Sequence, residues 1–290
     1  MAVVLGLAVA VAYGAADFFG GVSAKRSPVA GVVVLSQVLG LPVLAVLVPI
    51  AGGDPTTRAL VLGGIAGAAG GIGLVCLYAG LARGRMSVVA PITAVGAAIV
   101  PVLWGLSTGE RPSAVALAGV AVALVAVVLV SASGGSGRDE LEMPSSSRPK
   151  PVDRTLALAI VAGLGFGGVF VALGETGDDV GMWPLVATRF VSVTMLASGA
   201  LLTRRPLRSS STVAAAIRTI VAAGVLDMTA NVLYLLATRE GLLSLVAVLS
   251  SLYPAATVLL ARAVLGERIG RVQLGGLALA SAGVVLIAAG

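Results

Sequence analysis

The chain has 290 residues, 58% of them hydrophobic and only 11% charged. Soluble domains carry about a quarter charged residues, so this sequence cannot coat a water-soluble globule and reads as an integral membrane protein. With no His and one Cys, Cys76, it also excludes Cys/His zinc sites, Ser-His-Asp triads, Cys-His dyads, His-ligated haem and an internal disulfide.

Crossing about 30 Å of hydrocarbon takes about 20 apolar residues in a helix. Ten such runs follow one another: Ala2 to Ser23, Val29 to Ala51, Leu60 to Ala82, Met86 to Ser107, Ser113 to Ser131, Leu156 to Gly174, Met182 to Thr203, Thr219 to Thr238, Leu242 to Ala263, and Val272 to Ala289. Ala, Val, Leu and Gly fill them without period-2 alternation, which favours helices over barrel strands. The predicted fold class is an all-α integral membrane bundle of ten transmembrane helices. The first run lacks a basic n-region and carries Asp17, so it is expected to be a retained span, not a signal peptide.

An ionisable group at the centre of a span costs about 2.5–3.5 kcal/mol on insertion scales, so each one is a candidate for function. Asp17 lies past the middle of the first run. The second run holds Ser36, Gln37 and Pro42. The third is crowded with Gly63, Gly64, Gly67, Gly70, Gly71 and Gly73; its GxxxG spacings predict close helix packing or a dimer face, leaving the chain a monomer or a homodimer. The fourth contains Ser87, Pro91, Thr93 and Pro101. In the sixth, Gly163-Leu164-Gly165-Phe166-Gly167-Gly168 spells the dinucleotide fingerprint, but no strand precedes it and apolar span lies on both sides, which excludes a nucleotide site.

Arg189 follows Met182-Trp183-Pro184 by a turn or two in the seventh run. Three outcomes are open to it: snorkelling to the nearer surface, binding an anionic substrate group, or pairing with Asp227 or Asp17. In the eighth run Asp227, Asn231, Tyr234 and Thr238 fall at i, i+4, i+7 and i+11 on one helix face. That polar stripe is expected to line a cavity, the alternative being an interhelical hydrogen-bond network that only holds helices together. The ninth run holds Ser244, Ser250, Ser251, Tyr253 and Pro254. Most Ser and Thr in spans bond the preceding turn of their own helix, so Gln37 and Tyr253 are the preferred neutral site candidates. The prolines inside spans bend helices and free carbonyls.

Most of the 19 Lys and Arg residues fall in one set of alternate loops: Lys25 and Arg26; Arg83 and Arg85; Arg138, Arg148, Lys150 and Arg154; Arg204, Arg205, Arg208 and Arg218; Arg262, Arg268 and Arg271. The opposite loops hold Arg58, Arg111 and Arg239. Basic loops stay cytoplasmic, so both termini are predicted to be extracytoplasmic in the cell membrane. The net charge of +6 is thereby an orientation device, and with 4% aromatic residues the chain calls for no nucleic-acid partner.

Residues 133–153, rich in Gly, Ser, Pro and charge, read as a cytoplasmic linker. The linker separates residues 1–132 from 154–290, two halves of five spans each. The halves align: Ser87 with Ser244, Val89 with Val246, Ala98 with Ala255, Gly109-Glu110-Arg111 with Gly266-Glu267-Arg268, and Gly119 with Gly276. One residue out of that register, Tyr78 pairs with Tyr234 and Arg83 with Arg239. An odd number of spans per unit turns the second copy upside down, as the basic loops independently require. Inverted repeats are characteristic of secondary transporters, which exchange the conformations of two similar halves.

In this repeat architecture, its length and the Gly-Glu-Arg element ending the fourth and ninth spans, the chain resembles the drug/metabolite transporter superfamily, in particular its EamA-type members. The first span departs from the family pattern, lacking the usual Trp-Gly and carrying Asp17. The resemblance implies a ten-helix transporter of small metabolites, amino acids or toxic compounds, commonly moving them outward. The expectation is a secondary transporter in the bilayer, working by alternating access on a small-molecule substrate, without a cofactor or metal and without enzymatic activity. The substrate-binding set is Asp227, Asn231, Tyr234, Arg189, Asp17, Gln37 and Tyr253. Any coupling proton must ride on a carboxylate, Asp17 or Asp227, because no His is available. A non-transporting scaffold or a membrane-embedded enzyme is the alternative; the scattered acids argue against the enzyme, and a scaffold needs neither polar stripe nor repeat.

Overall fold

The computed structural model describes residues 1–24, 27–81, 86–132, 152–202, 213–266 and 268–290, which form α-helices and no strand. In chain order they are α1 (Ala2–Ala24), α2 (Val29–Leu39), α3 (Leu41–Ala51), α4 (Thr57–Leu81), α5 (Met86–Ser107), α6 (Ala114–Ala132), α7 (Val152–Gly174), α8 (Trp183–Leu202), α9 (Val213–Glu240), α10 (Leu243–Ser250), α11 (Tyr253–Leu265) and α12 (Arg271–Ala289). Among the described residues nine stretches are long and apolar enough to cross a bilayer, and Ile92–Ser107 of α5 is a shorter apolar helix. The chain is a multi-pass membrane protein. Large apolar side chains such as Val4, Ile65, Phe190, Leu202 and Val285 are exposed around the bundle, the surface that lipid requires and water would penalise. Residues 133–151 of the expected linker, Lys25, Arg26, Arg83, Arg85, Arg138, Arg148, Lys150, Arg204, Arg205, Arg208 and Glu267 lie outside the described residues.

The predicted runs and the helices coincide closely, with two differences of local physics. The second and ninth spans are each broken into two helices, at Gly40 and at Ser251-Leu252. Both breaks precede a proline in the first turn of the following helix, Pro42 and Pro254. A proline has no N–H to donate and crowds the carbonyl four residues back. The backbone closes shorter turns instead, with Val43 N donating to Gly40 O at 3.2 Å and Ala255 N to Leu252 O at 2.9 Å. Pro91 and Pro101, by contrast, sit within a continuous α5.

Small residues set the helix spacing. A Cβ on Gly63 or Gly67 would meet the Pro184 or Thr188 carbonyl of α8, and Thr188 Oγ1 donates to Gly63 O at 2.9 Å. The GxxxG spacing of the third span is therefore consumed inside the chain. Gly40 and Gly224 bring α2 against α9 in the same manner, and Gly119, Gly276 and Gly283 bring α6 against α12.

The packing partners exchange when the two five-span halves are interchanged. α1 packs on α9 as α7 packs on α4; α5 packs on α7 as α10 and α11 pack on α1; α4 packs on α8 as α9 packs on α2; α6 and α12 pack on each other. Both chain ends lie at one end of the bundle, Ala2 beside Gly241 and Gly290 beside Ser113. That is also the end of the arginine-poor loops.

Candidate functional site

Helix geometry alone separates Arg189 from its neighbour. Successive residues on α8 project about 100° apart, so the Phe190 ring, 72% exposed, faces outward while Arg189, 4% exposed, faces the bundle interior. There its Nη2 donates to Asp227 Oδ2 on α9. Of the three outcomes open to Arg189, the structure selects the ion pair with Asp227. The pair is lopsided, since the Arg189 side chain is 5% exposed and that of Asp227 35%. Asn231, one turn on, donates from Nδ2 to the Asp227 carbonyl at 2.8 Å.

Asp227 and Asn231 open onto a cavity of about 160 Å³ between the halves. Asp17, Gln37, Arg189 and Tyr253 share its wall, so six of the seven candidates from four separate helices and the α10/α11 break converge on one space. The seventh, Tyr234, lies behind that wall. It is fully buried, donates from its hydroxyl to Phe170 O at 3.0 Å and stacks on the Phe170 ring at 4.5 Å. Phe170 in turn meets Tyr13 at 6.2 Å, forming an aromatic layer across α1, α7 and α9. Thr238, the last member of the stripe, bonds Leu235 O of its own helix.

Several lining residues were not singled out from the sequence: Tyr13, Phe166, Phe170, Thr188 and Ser192. Their spacing carried a signal. Tyr13 precedes Asp17 by four, Phe166 precedes Phe170 by four and Ser192 follows Arg189 by three, each pair sharing a helix face. The serines expected to bond their own helix do so, Ser250 Oγ to Val246 O and Ser251 Oγ to Ala247 O, both at 2.7 Å.

Two polar groups of the wall have no partner. Among the described residues Asp17 makes no ion pair, and it is exposed to the cavity. The buried Gln37 Oε1 accepts no hydrogen bond. The wall thus contains two carboxylates and one guanidinium, with the guanidinium already committed to Asp227.

The lining residues Asp17, Leu74 and Leu77 extend the cavity from mid-bundle toward the end of the bundle away from the chain termini. At the opposite end, polar contacts join the halves. Glu175 accepts from Arg58 Nη2 at 3.3 Å and from Trp104 Nε1 at 2.8 Å. Trp183 Nε1 donates to Gly53 O at 3.1 Å. Glu110, of the first Gly-Glu-Arg element, accepts from the backbone N–H of Leu243 at 2.6 Å and Ser244 at 3.1 Å. A carboxylate on the free amides of a helix N-terminus offsets the helix dipole, so this element caps α10 across the boundary of the two halves. Gly109, in the left-handed region at φ 101°, lets the chain leave α5 and turn Glu110 inward.

Residues 154–289 match the family model described as the EamA-like transporter family. The chain is similar to a solved crystal structure of a protein with a TM-score of 0.74 and 16% identity, over 98% of this chain and 95% of that one. At that identity the likeness establishes a shared fold. No curated protein matches the chain.

Proposed function

We propose, from a chain whose residues 154–289 match the model of the EamA-like transporter family, that this membrane protein is a secondary transporter that moves a small solute outward across the cell membrane by alternating access. The family consists of transporters, not enzymes. The observation that carries the mechanism is a largely apolar cavity at mid-bundle into which Asp17, Asp227 and Arg189 project, with polar contacts joining the halves at one end of the bundle. The exchange of packing partners between the halves supports two structurally equivalent repeats, the arrangement that lets one half adopt the other's conformation and part those contacts. Basic loops mark the cytoplasmic side, so the cavity extends toward the face from which an exporter loads.

Alternating access requires the Arg58/Glu175 tie to part in every cycle. In a Cys76→Ala background, Arg58→Cys with Glu175→Cys, joined by a short cleavable thiol cross-linker, is expected to abolish solute flux in proteoliposomes, and reductive cleavage to restore it. Undiminished flux through the cross-linked protein would remove the alternating-access assignment.

A further inference from the structure

The wall of the cavity holds two carboxyl groups, Asp17 and Asp227, and one guanidinium, Arg189. Asp227 is held by Arg189, which leaves the Asp17 carboxylate and the buried Gln37 Oε1 without donors among the described residues. Beside these groups stand the rings of Tyr13, Phe166, Phe170 and Tyr253, whose faces attract cations. A free anion finds no uncommitted cation here, because Arg189 is buried against Asp227. A cavity of about 150 Å³ holds benzene, so one of about 160 Å³ takes a single ring with a short arm.

We propose that the cavity binds a small organic cation bearing N–H donors, its ammonium on Asp17 and Gln37 Oε1 and its apolar body on the aromatic rings. The inference rests on the transport reading and specifies its substrate class. Two features separate it from a generic cation site. A quaternary ammonium satisfies the charge but leaves Gln37 Oε1 unpaired, and an unpaired buried acceptor is penalised. A carboxylate of the same shape meets two carboxyl groups and, among the described residues, no cation that is not already paired.

The test is equilibrium binding to the full-length protein in lipid nanodiscs with three probes of matched shape: phenethylamine, its N,N,N-trimethyl derivative and 3-phenylpropanoate. Phenethylamine is expected to bind, the trimethyl derivative about tenfold more weakly, and the carboxylate not at all. Asp17→Asn should lower phenethylamine affinity by about tenfold or more. Gln37→Leu should weaken phenethylamine several-fold and leave the trimethyl derivative unchanged, a readout that holds even if Asp17→Asn fails to fold. Binding of the carboxylate in preference to the amine, absence of binding by either amine, or amine affinity indifferent to both variants would each overturn the proposal. Flux measured in parallel keeps the two readings apart. An amine that binds and never crosses leaves the cation site standing and removes transport; movement of anions or neutral solutes with amines ignored does the reverse.

Discussion

The unequal exposure of Arg189 and Asp227 makes their two neutralising substitutions unequal. Asp227→Asn keeps an acceptor beside the guanidinium but removes the charge. Arg189, with its side chain 5% exposed, cannot shed its proton, and a stranded buried charge costs about 3–5 kcal/mol. Arg189→Gln strands the carboxylate instead, but Asp227 is 35% exposed and can be hydrated from the cavity. Its loss is then nearer the cost of one unsatisfied polar group, about 1–3 kcal/mol. The double variant removes both charges and is expected to recover about 2 kcal/mol relative to Asp227→Asn alone, within the usual range of coupling between contacting residues. At about 2–4 °C per kcal/mol for larger domains, Asp227→Asn should lower the thermal midpoint by roughly 10 °C. Arg189→Gln should lower it by clearly less. Circular dichroism in detergent, with the same lipid content for all four proteins, measures the cycle. Equal destabilisation by the two single variants, or a double variant equal to their sum, would refute the reasoning that Arg189 is the deeply buried member.

The α4/α8 contact gives a second expectation: Gly67→Leu drives a side chain into the Thr188 carbonyl and should cost about 1–3 kcal/mol by overpacking, read as a lower thermal midpoint, whereas a leucine at the exposed Gly275 of α12 should not. Tyr234→Phe removes the hydroxyl bonded to Phe170 O and should cost about 1 kcal/mol while leaving amine affinity unchanged, because that hydroxyl points away from the cavity. Glu110→Gln withdraws the charge that caps α10 and should cost about 0.5–2 kcal/mol, again measured by thermal unfolding. For orientation, a cysteine replacing the exposed Asp54 in a Cys76→Ala background should react with an impermeant maleimide added outside intact cells; protection there and reaction only after permeabilisation would invert the topology.

The spans were legible because lipid leaves the backbone few choices: each crossing must satisfy its own N–H and C=O groups, so a long apolar run is a helix before any tertiary contact is known. The breaks were less so. Several prolines were visible inside spans, yet Pro42 and Pro254 follow interruptions while Pro91 and Pro101 lie in continuous helix. The letter is the same in each case, and nothing local to the sequence separates the two outcomes. The polar stripe of α9 shows the same division. Its four residues share a face, but neighbouring helices decide what that face meets: Asp227 and Asn231 meet the cavity, whereas Tyr234 meets Phe170.

Charge inside the bilayer follows the same logic. Asp17, Arg189 and Asp227 stand out in the sequence because each is expensive there, but compensation is a property of pairs brought together by folding. Arg189 and Asp227 come from different helices, and only the inward turn of α8 joins them. Once they are joined, Asp17 is the carboxyl group in the cavity without a partner among the described residues, and an expensive residue without a partner is best explained by a ligand that supplies one. The carboxyl group left open to a ligand then follows from one lopsided ion pair. The specificity proposed for the cavity is the physical consequence of that pairing.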